Sequence, residues 1–147
     1  MARYVTKVRT PWPAAKAFAY MADLRNFASW DPGVRNVTQT AGDAGGGAAS
    51  VFDVTIRGVP KDIVLTYRTV EYDAPSHVLV VAKSRVFTSE DRVTVTAEGD
   101  GSIVEYDAQL RLNGVLGVVD LGLRPFFNRI GDRAANGLRV ALEGSAG

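Results

Sequence analysis

The chain has 147 residues, of which 46% are hydrophobic and 22% charged, and its formal net charge is +1. That length builds one domain with a substantial core and is too short for two ordinary ones, so residues 1–147 are read as a single domain. Charges scattered singly along a near-neutral chain argue against a nucleic-acid partner, and the lack of cysteine removes disulfides and thiolate chemistry.

"RYVTKVR" (Arg3 to Arg9) alternates in polarity and predicts a short strand. "TPWP" breaks it, and Pro13 suits the first turn of a helix that runs on as "PAAKAFAYMAD". Asp23 is a reasonable N-cap for a second short helix, "LRNFASW", which "DPG" (Asp31 to Gly33) ends. From Val34 the pattern becomes β, with strands predicted at Val34–Thr40, Ala49–Arg57, Ile63–Tyr72, Val78–Lys83, Val86–Thr96 and Ser102–Leu112. The short separators, among them "AGDAGGG", "DAPS" and "EGDG", imply antiparallel neighbours, because parallel strands need long crossovers.

The last element, "LGLRPFFNRIGDRAANGLRVAL" (Leu121 to Leu142), has helical periodicity. Leu116, Val119, Leu123, Phe126, Phe127, Ile130, Ala134, Leu138 and Ala141 fall on one face. Yet Pro125 lies inside it, and Gly122, Gly131 and Gly137 each cost about 1 kcal/mol relative to alanine. Either the small residues leave space beneath the helix, or they let it approach the sheet closely. The elements together predict an α+β domain, a curved antiparallel sheet with a long helix on its concave side.

Strand phase assigns the inward side chains. On the third strand these are Phe52, Val54 and Ile56, on the fourth Leu65 and Tyr67, and on the fifth Val78, Val80 and Ala82. The sixth turns Phe87, Ser89, Asp91, Val93, Val95 and Ala97 inward. The seventh points Val104, Tyr106, Ala108, Leu110 and Leu112 inward, leaving Glu105, Asp107, Gln109 and Arg111 to water.

The order strand, "TPWPAAKAFAYMADLRNFASWDPGV", six strands and long C-terminal helix resembles the helix-grip superfamily. That superfamily includes START-type lipid carriers, birch-pollen-allergen-like proteins and bacterial polyketide cyclase/dehydratase-like proteins. The "AGDAGGG" loop sits where plant members carry a glycine-rich loop, and "RPFFNRIGDRAANGLRVAL" looks like the closing helix of the bacterial cyclase-like branch. The resemblance implies a seven-stranded curved sheet wrapped around the C-terminal helix, with two short helices after the first strand and a ligand cavity between sheet and helix. On that reading Pro125 bends the first helical turns toward the entrance, and Ala134 and Gly137 leave room for a ligand. Cavity volume is expected within the ~300–1,000 Å³ of ordinary ligand sites.

The candidate ligand-binding residues are Phe52, Val54, Leu65, Tyr67, Phe87, Val93, Tyr106, Leu123, Phe127 and Ile130. Asp91 is the sharpest catalytic candidate. An inward carboxylate among apolar neighbours is costly unless paired or hydrated, and such a group suits general acid or base work. Its structural alternative is an ion pair with Arg85, Arg92 or a helix arginine. Tyr67 and Tyr106 are candidates to orient a ligand oxygen or simply fill the core. Ser89 lacks a neighbouring base and so reads as a plain hydroxyl. His77, after "DAPS", reads as an exposed strand-start residue. "GDAGGGA" lacks the Lys-Ser/Thr ending of a phosphate-binding loop and reads as a hairpin loop.

With one histidine, a zinc site would fall on carboxylates alone, so no metal or cofactor is expected. "MARYVTKVRT" has no signal-peptide core and no apolar run nears the ~20 residues of a membrane span, which points to a cytoplasmic monomer or homodimer with no transmembrane segment. The expected partner is a small hydrophobic molecule, lipid-, polyketide- or quinone-like, held in the cavity. A cyclase, aromatase or dehydratase acting in the same cavity is the enzymatic alternative. A lipid or quinone chaperone that docks on a partner protein is a third.

Overall fold

Nine alternating residues form β1 (Ala2–Thr10), and the Pro11–Pro13 break turns the chain into α1 (Ala14–Ala22). Pro13 stands at the N-cap, one residue before the helical position expected of it, and its carbonyl accepts from the Ala17 amide. Asp23 caps the next turn by accepting from the Arg25 amide. That single 3-10 turn (Leu24–Asn26) runs into the one-turn helix α2 (Phe27–Trp30). The strands follow as β2 (Val34–Ala41), β3 (Val51–Ile56), β4 (Ile63–Asp73), β5 (His77–Lys83), β6 (Phe87–Glu98) and β7 (Gly101–Leu112). The long helix α3 (Asp120–Ala141) and a two-residue strand, β8 (Ser145–Ala146), close the chain.

In this computed structural model residues 2–43, 46–57, 61–84, 87–112 and 120–146 are described, without the side chains of 112, 120–126, 145 and 146. Arg85, Leu116, Val119, part of the "AGDAGGG" loop and the side chains of Leu112, Leu123, Pro125 and Phe126 therefore lie outside the described residues. So does the expected bend at Pro125.

The strands join in the order β2-β3-β4-β5-β6-β7-β1-β8, antiparallel throughout. Pairing of β1 with β7 leaves five strands, β3 to β7, between β1 and β2, so that the sequence-distant ends of the chain share one end of the sheet. β8 escapes detection in the sequence because two residues carry no alternation. It pairs with Val8 and Arg9 and so secures the exit of α3 to β1.

The core lies between the inner face of the sheet and the helices. Phe52, Val54, Val78, Val104, Leu138 and Leu142 are fully buried there, with Ala17, Phe18 and Met21 of α1 beside them. The expected strand phases hold, with two corrections. Ala97 faces the inner side but is exposed, since it lies near the β6–β7 turn. Asp107 points away from the core as expected yet is buried, because Arg3 lies over it in a bidentate pair (3.0 and 2.7 Å).

The glycines of α3 resolve the choice left open by the sequence. A Cβ on Gly137 would overlap the Trp30 carbonyl oxygen, and one on Gly131 would overlap the ring of Tyr4. Both glycines permit close approach, so the expectation that Gly137 leaves ligand space is wrong. Alanine at position 137 would gain about 1 kcal/mol of helix propensity. It would also push α3 off a backbone carbonyl that has no rotamer with which to yield. Gly137→Ala should therefore be destabilising by a net ~1–3 kcal/mol, the range for overpacking, as read from urea unfolding midpoints.

Candidate functional site

Under the middle of α3, from Phe127 to Leu138, lies a cavity of about 220 Å³, smaller than the ~300 Å³ lower end of typical ligand sites. Its floor is the inner face of the sheet: Tyr4 and Thr6 from β1, Leu65 and Tyr67 from β4, Phe87, Ser89 and Asp91 from β6, and Tyr106, Ala108 and Leu110 from β7. Its roof is Phe127, Ile130, Gly131, Ala134, Ala135 and Leu138. Phe27, Trp30 and Asp31 close one end. A smaller hollow of about 20 Å³, room for a water, shares Asp91 and Tyr106 with the cavity and lies among Met21, Leu24, Val78 and Val93.

Two polar pairs stand in this mostly apolar surround, and the strand register builds both. Tyr67 pairs with Ala82, which pairs with Ser89, so the three form one row across β4, β5 and β6. Only a small residue in the middle lets the Tyr67 ring lie across β5 and bring its hydroxyl to 2.8 Å from Ser89 Oγ. Tyr106 pairs with Val93, which makes Asp91 its diagonal neighbour across β6 and β7. The Tyr106 hydroxyl donates to Asp91 Oδ2 at 2.7 Å, above Ala108, the small residue opposite Asp91. The indole of Trp30 meets the Tyr106 ring edge-on at 5.4 Å and stacks on Phe27 at 4.7 Å, which fixes the Tyr106 ring in place.

Asp91 is 5% exposed, and among the described residues no cation pairs with it. Arg92 instead joins Glu71 and His77 in an outer cluster. Burial pushes the Asp91 carboxyl up to about 7; the hydrogen bond from Tyr106 opposes this, and the charges of Asp31 and Asp107 add to it. Burial likewise raises the Tyr67 and Tyr106 phenols well above their ordinary value, with the Asp91 charge contributing. Both remain neutral hydroxyls. Asp31, a second carboxyl at the cavity, is also raised by burial, against the lowering effect of the Gly33 amide that donates to its Oδ1 at 2.8 Å.

The sequence-nominated residues divide accordingly. Leu65, Tyr67, Phe87, Tyr106, Phe127 and Ile130 line the cavity, as does Asp91. Phe52 and Val54 do not; they are fully buried where the helices pack tightly against the sheet. Val93 lines the small hollow instead. Leu123 lies outside the described residues. Asp31, Tyr4, Thr6, Ala108 and Leu110 were not nominated. Tyr4, Thr6, Ala108 and Leu110 had a signal, the inward phase of their strands. Asp31 had none, because it sits in a turn where its side chain also serves the Gly33 amide. Among the described residues no three His, Cys, Asp or Glu side chains group closely enough to hold a metal ion. No helix among them is long and apolar enough to cross a membrane.

The buried carboxyl sets a pH dependence of stability. Unfolding returns Asp91 to its ordinary value of 3.8, so between about pH 4 and pH 7 the folded state holds a proton that the unfolded state has lost. Stability should therefore fall as pH rises through that window, by at most about 4 kcal/mol at 1.36 kcal/mol per pKa unit. Asp91→Asn keeps an acceptor for Tyr106 and removes the titration. Urea melts from about pH 4 to about pH 8 should show the decline in the parent and a clearly flatter profile in the variant. Equal slopes would place the titration elsewhere.

Comparison with known proteins places this geometry. A START superfamily protein from Mycobacterium smegmatis superposes with a TM-score of 0.74 at 12% identity, over 97% of this chain and 98% of that one. A major latex-like protein from Panax ginseng gives 0.63 at 10% identity, over 96% and 97%. The di-domain ARO/CYC StfQ of the steffimycin biosynthetic pathway gives 0.68 at 9% identity, over 97% of this chain and 50% of that one. At such identities these likenesses show a shared fold. A search of curated proteins returned no match. The sequence model described as "Polyketide cyclase / dehydrase and lipid transport" matches residues 1–143, nearly the whole chain, and the protein belongs to that family.

Proposed function

We propose that the protein binds one small, largely apolar or aromatic molecule in the cavity between the sheet and α3. The observation that carries this reading is the cavity itself: about 220 Å³ walled by aromatic and aliphatic side chains, with a few polar groups at fixed positions. A cavity of ~150 Å³ accommodates benzene, so this one suits a substituted ring or two fused rings. Burying about 300 Å² of apolar ligand surface at ~25 cal/mol/Å² contributes roughly 7 kcal/mol before association costs, consistent with micromolar affinity at best unless hydrogen bonds add to it.

A second reading, proton-transfer catalysis on a polyketide-like substrate, is favoured by one observation. Asp91 is a cavity carboxyl whose affinity for protons is balanced near neutrality, and it is oriented by Tyr106. In that scheme Asp91 takes a proton from carbon next to a substrate carbonyl and later returns it, while the Tyr67–Ser89 pair supplies a hydroxyl to the carbonyl oxygen. Deuterium exchange into a small aryl ketone in heavy water tests it. Exchange should be abolished in Asp91→Asn, and exchange that persists there would exclude Asp91 as the base.

Binding is tested by filling the space. Ala134 projects from α3 at the cavity roof, and Ala134→Leu adds methylenes where a ligand would lie. Folding stability should stay within about 1 kcal/mol, because the added carbons enter open space and leucine is a good helix former. Native mass spectrometry after detergent-free purification should show a small-molecule adduct on the parent, and a hydrophobic dye should bind it; the variant should lose both. Equal dye binding by the two proteins would place the ligand elsewhere.

A further inference from the structure

Among the described residues, the cavity lining is charged in one sense only. It includes, among those residues, two carboxyl groups, Asp31 and Asp91, and no lysine, arginine or histidine. Asp91 is nine-tenths buried and lines both the cavity and the smaller hollow, and its one hydrogen bond among the described residues occupies Oδ2, leaving Oδ1 without a described partner. Asp31 receives the Gly33 amide on Oδ1, and no cation among the described residues pairs with it. Around these carboxyls stand the π faces and edges of Phe27, Trp30, Tyr67, Phe87, Tyr106 and Phe127. An anionic headgroup would find no positive partner among the described residues and would meet like charge. A fatty-acid carboxylate or a phosphate is therefore a poor occupant, whatever its tail.

We infer that the ligand is an aromatic or aliphatic amine that enters as its protonated cation, with its nitrogen at Asp91 Oδ1 and its ring among the aromatic side chains. This rests on the reading of the cavity as a ligand site and adds the ligand's chemical class. An ammonium group supplies the hydrogen-bond donors that Oδ1 lacks, and it neutralises a buried carboxylate in a low-dielectric surround, where an ion pair is far stronger than in water. Aromatic side chains attract the same charge through their quadrupoles. A neutral alcohol can supply one hydrogen bond but leaves the carboxylate charge unbalanced. Size sets a second limit: one or two rings fit and a multi-ring skeleton does not.

The groups that face Asp91 define the expected pH response. They are Tyr106 from β7, Tyr67 from β4 and Asp31 from the turn after α2, with Asp107 acting from the far side of the sheet. The phenols stay neutral across the useful range, so the two cavity carboxyls set it. An ammonium ligand needs Asp91 ionised and should bind more tightly above pH 7 than below it. A neutral ligand has no such requirement.

Calorimetric titration of the full chain with 2-phenylethylamine, 2-phenylethanol and phenylacetate separates the possibilities. At about pH 8 the amine should bind at least about tenfold more tightly than the alcohol, and phenylacetate should not bind. At about pH 5.5 the amine's advantage over the alcohol should shrink several-fold. In Asp91→Asn the advantage should disappear at both values; should that variant fail to fold, the pH comparison on the parent protein decides alone. An alcohol or carboxylate that binds as tightly as the amine would overturn the amine class and leave the cavity reading intact. Failure of all three probes in a protein that still binds a hydrophobic dye at the cavity would also overturn it. Failure of all three probes and the dye would remove the ligand site itself.

Discussion

The architecture depends on one backbone contact, the approach of α3 at Gly137 to the carbonyl of Trp30. α3 touches the sheet mainly along β1 and touches the small helices through α2, so its position is set by these two supports. Beyond Gly137, Leu138 and Leu142 are fully buried, and Thr10 Oγ1 donates to the Leu142 carbonyl at 2.6 Å. Trp12 and Glu143 add a second tie at 3.0 Å. The C-terminal end of the helix is thus seated and sealed, and the cavity lies under the stretch from Phe127 to Leu138. The same carbonyl belongs to the residue whose indole braces Tyr106, so the helix seat and the polar centre share a support.

The inner face of the sheet trades packing for chemistry. Ala82 and Ala108 occupy strand positions where a β-branched residue would pack better, and each lies beneath a tyrosine hydroxyl that reaches a polar partner. A valine at either site would fill the path of the ring above it. Burial of Asp91 without a cation costs stability that an apolar residue would not, and the structure offsets only part of that cost through one phenol. A group retained on such terms is more readily understood through what it does than through how it packs.

Much of this was legible in the sequence, because alternation and periodicity report the faces of strands and helices directly. All six β segments after Val34 and the long helix follow those signals to within a few residues, and the inward placement of Asp91, Tyr67 and Tyr106 follows from strand phase. What escaped depends on distance between segments. Phe52 and Val54 share the phase of the cavity residues, yet phase does not say where the helices press down and where they stand off. Gly137 is the same residue whether it yields space or removes a clash, and only the position of Trp30 decides. Asp31 gives no periodic signal because it lies in a turn.

The sheet is a single layer, and this gives the Arg3–Asp107 pair a reach beyond its own face. Arg92 and Asp107 are partners in register, as are Asp91 and Ala108, so Asp107 lies one residue from the cavity carboxyl with only backbone between them. Its charge already raises the proton affinity of Asp91, and Arg3, largely exposed on the outside, balances that charge. With Arg3 in place the interior senses a dipole; without it, a full negative charge. The outer skin of the sheet is therefore a tuning layer for the chamber behind it. Loss of a solvent-facing arginine would thus leave a full negative charge one residue from the cavity carboxyl, without altering a single residue that lines the cavity.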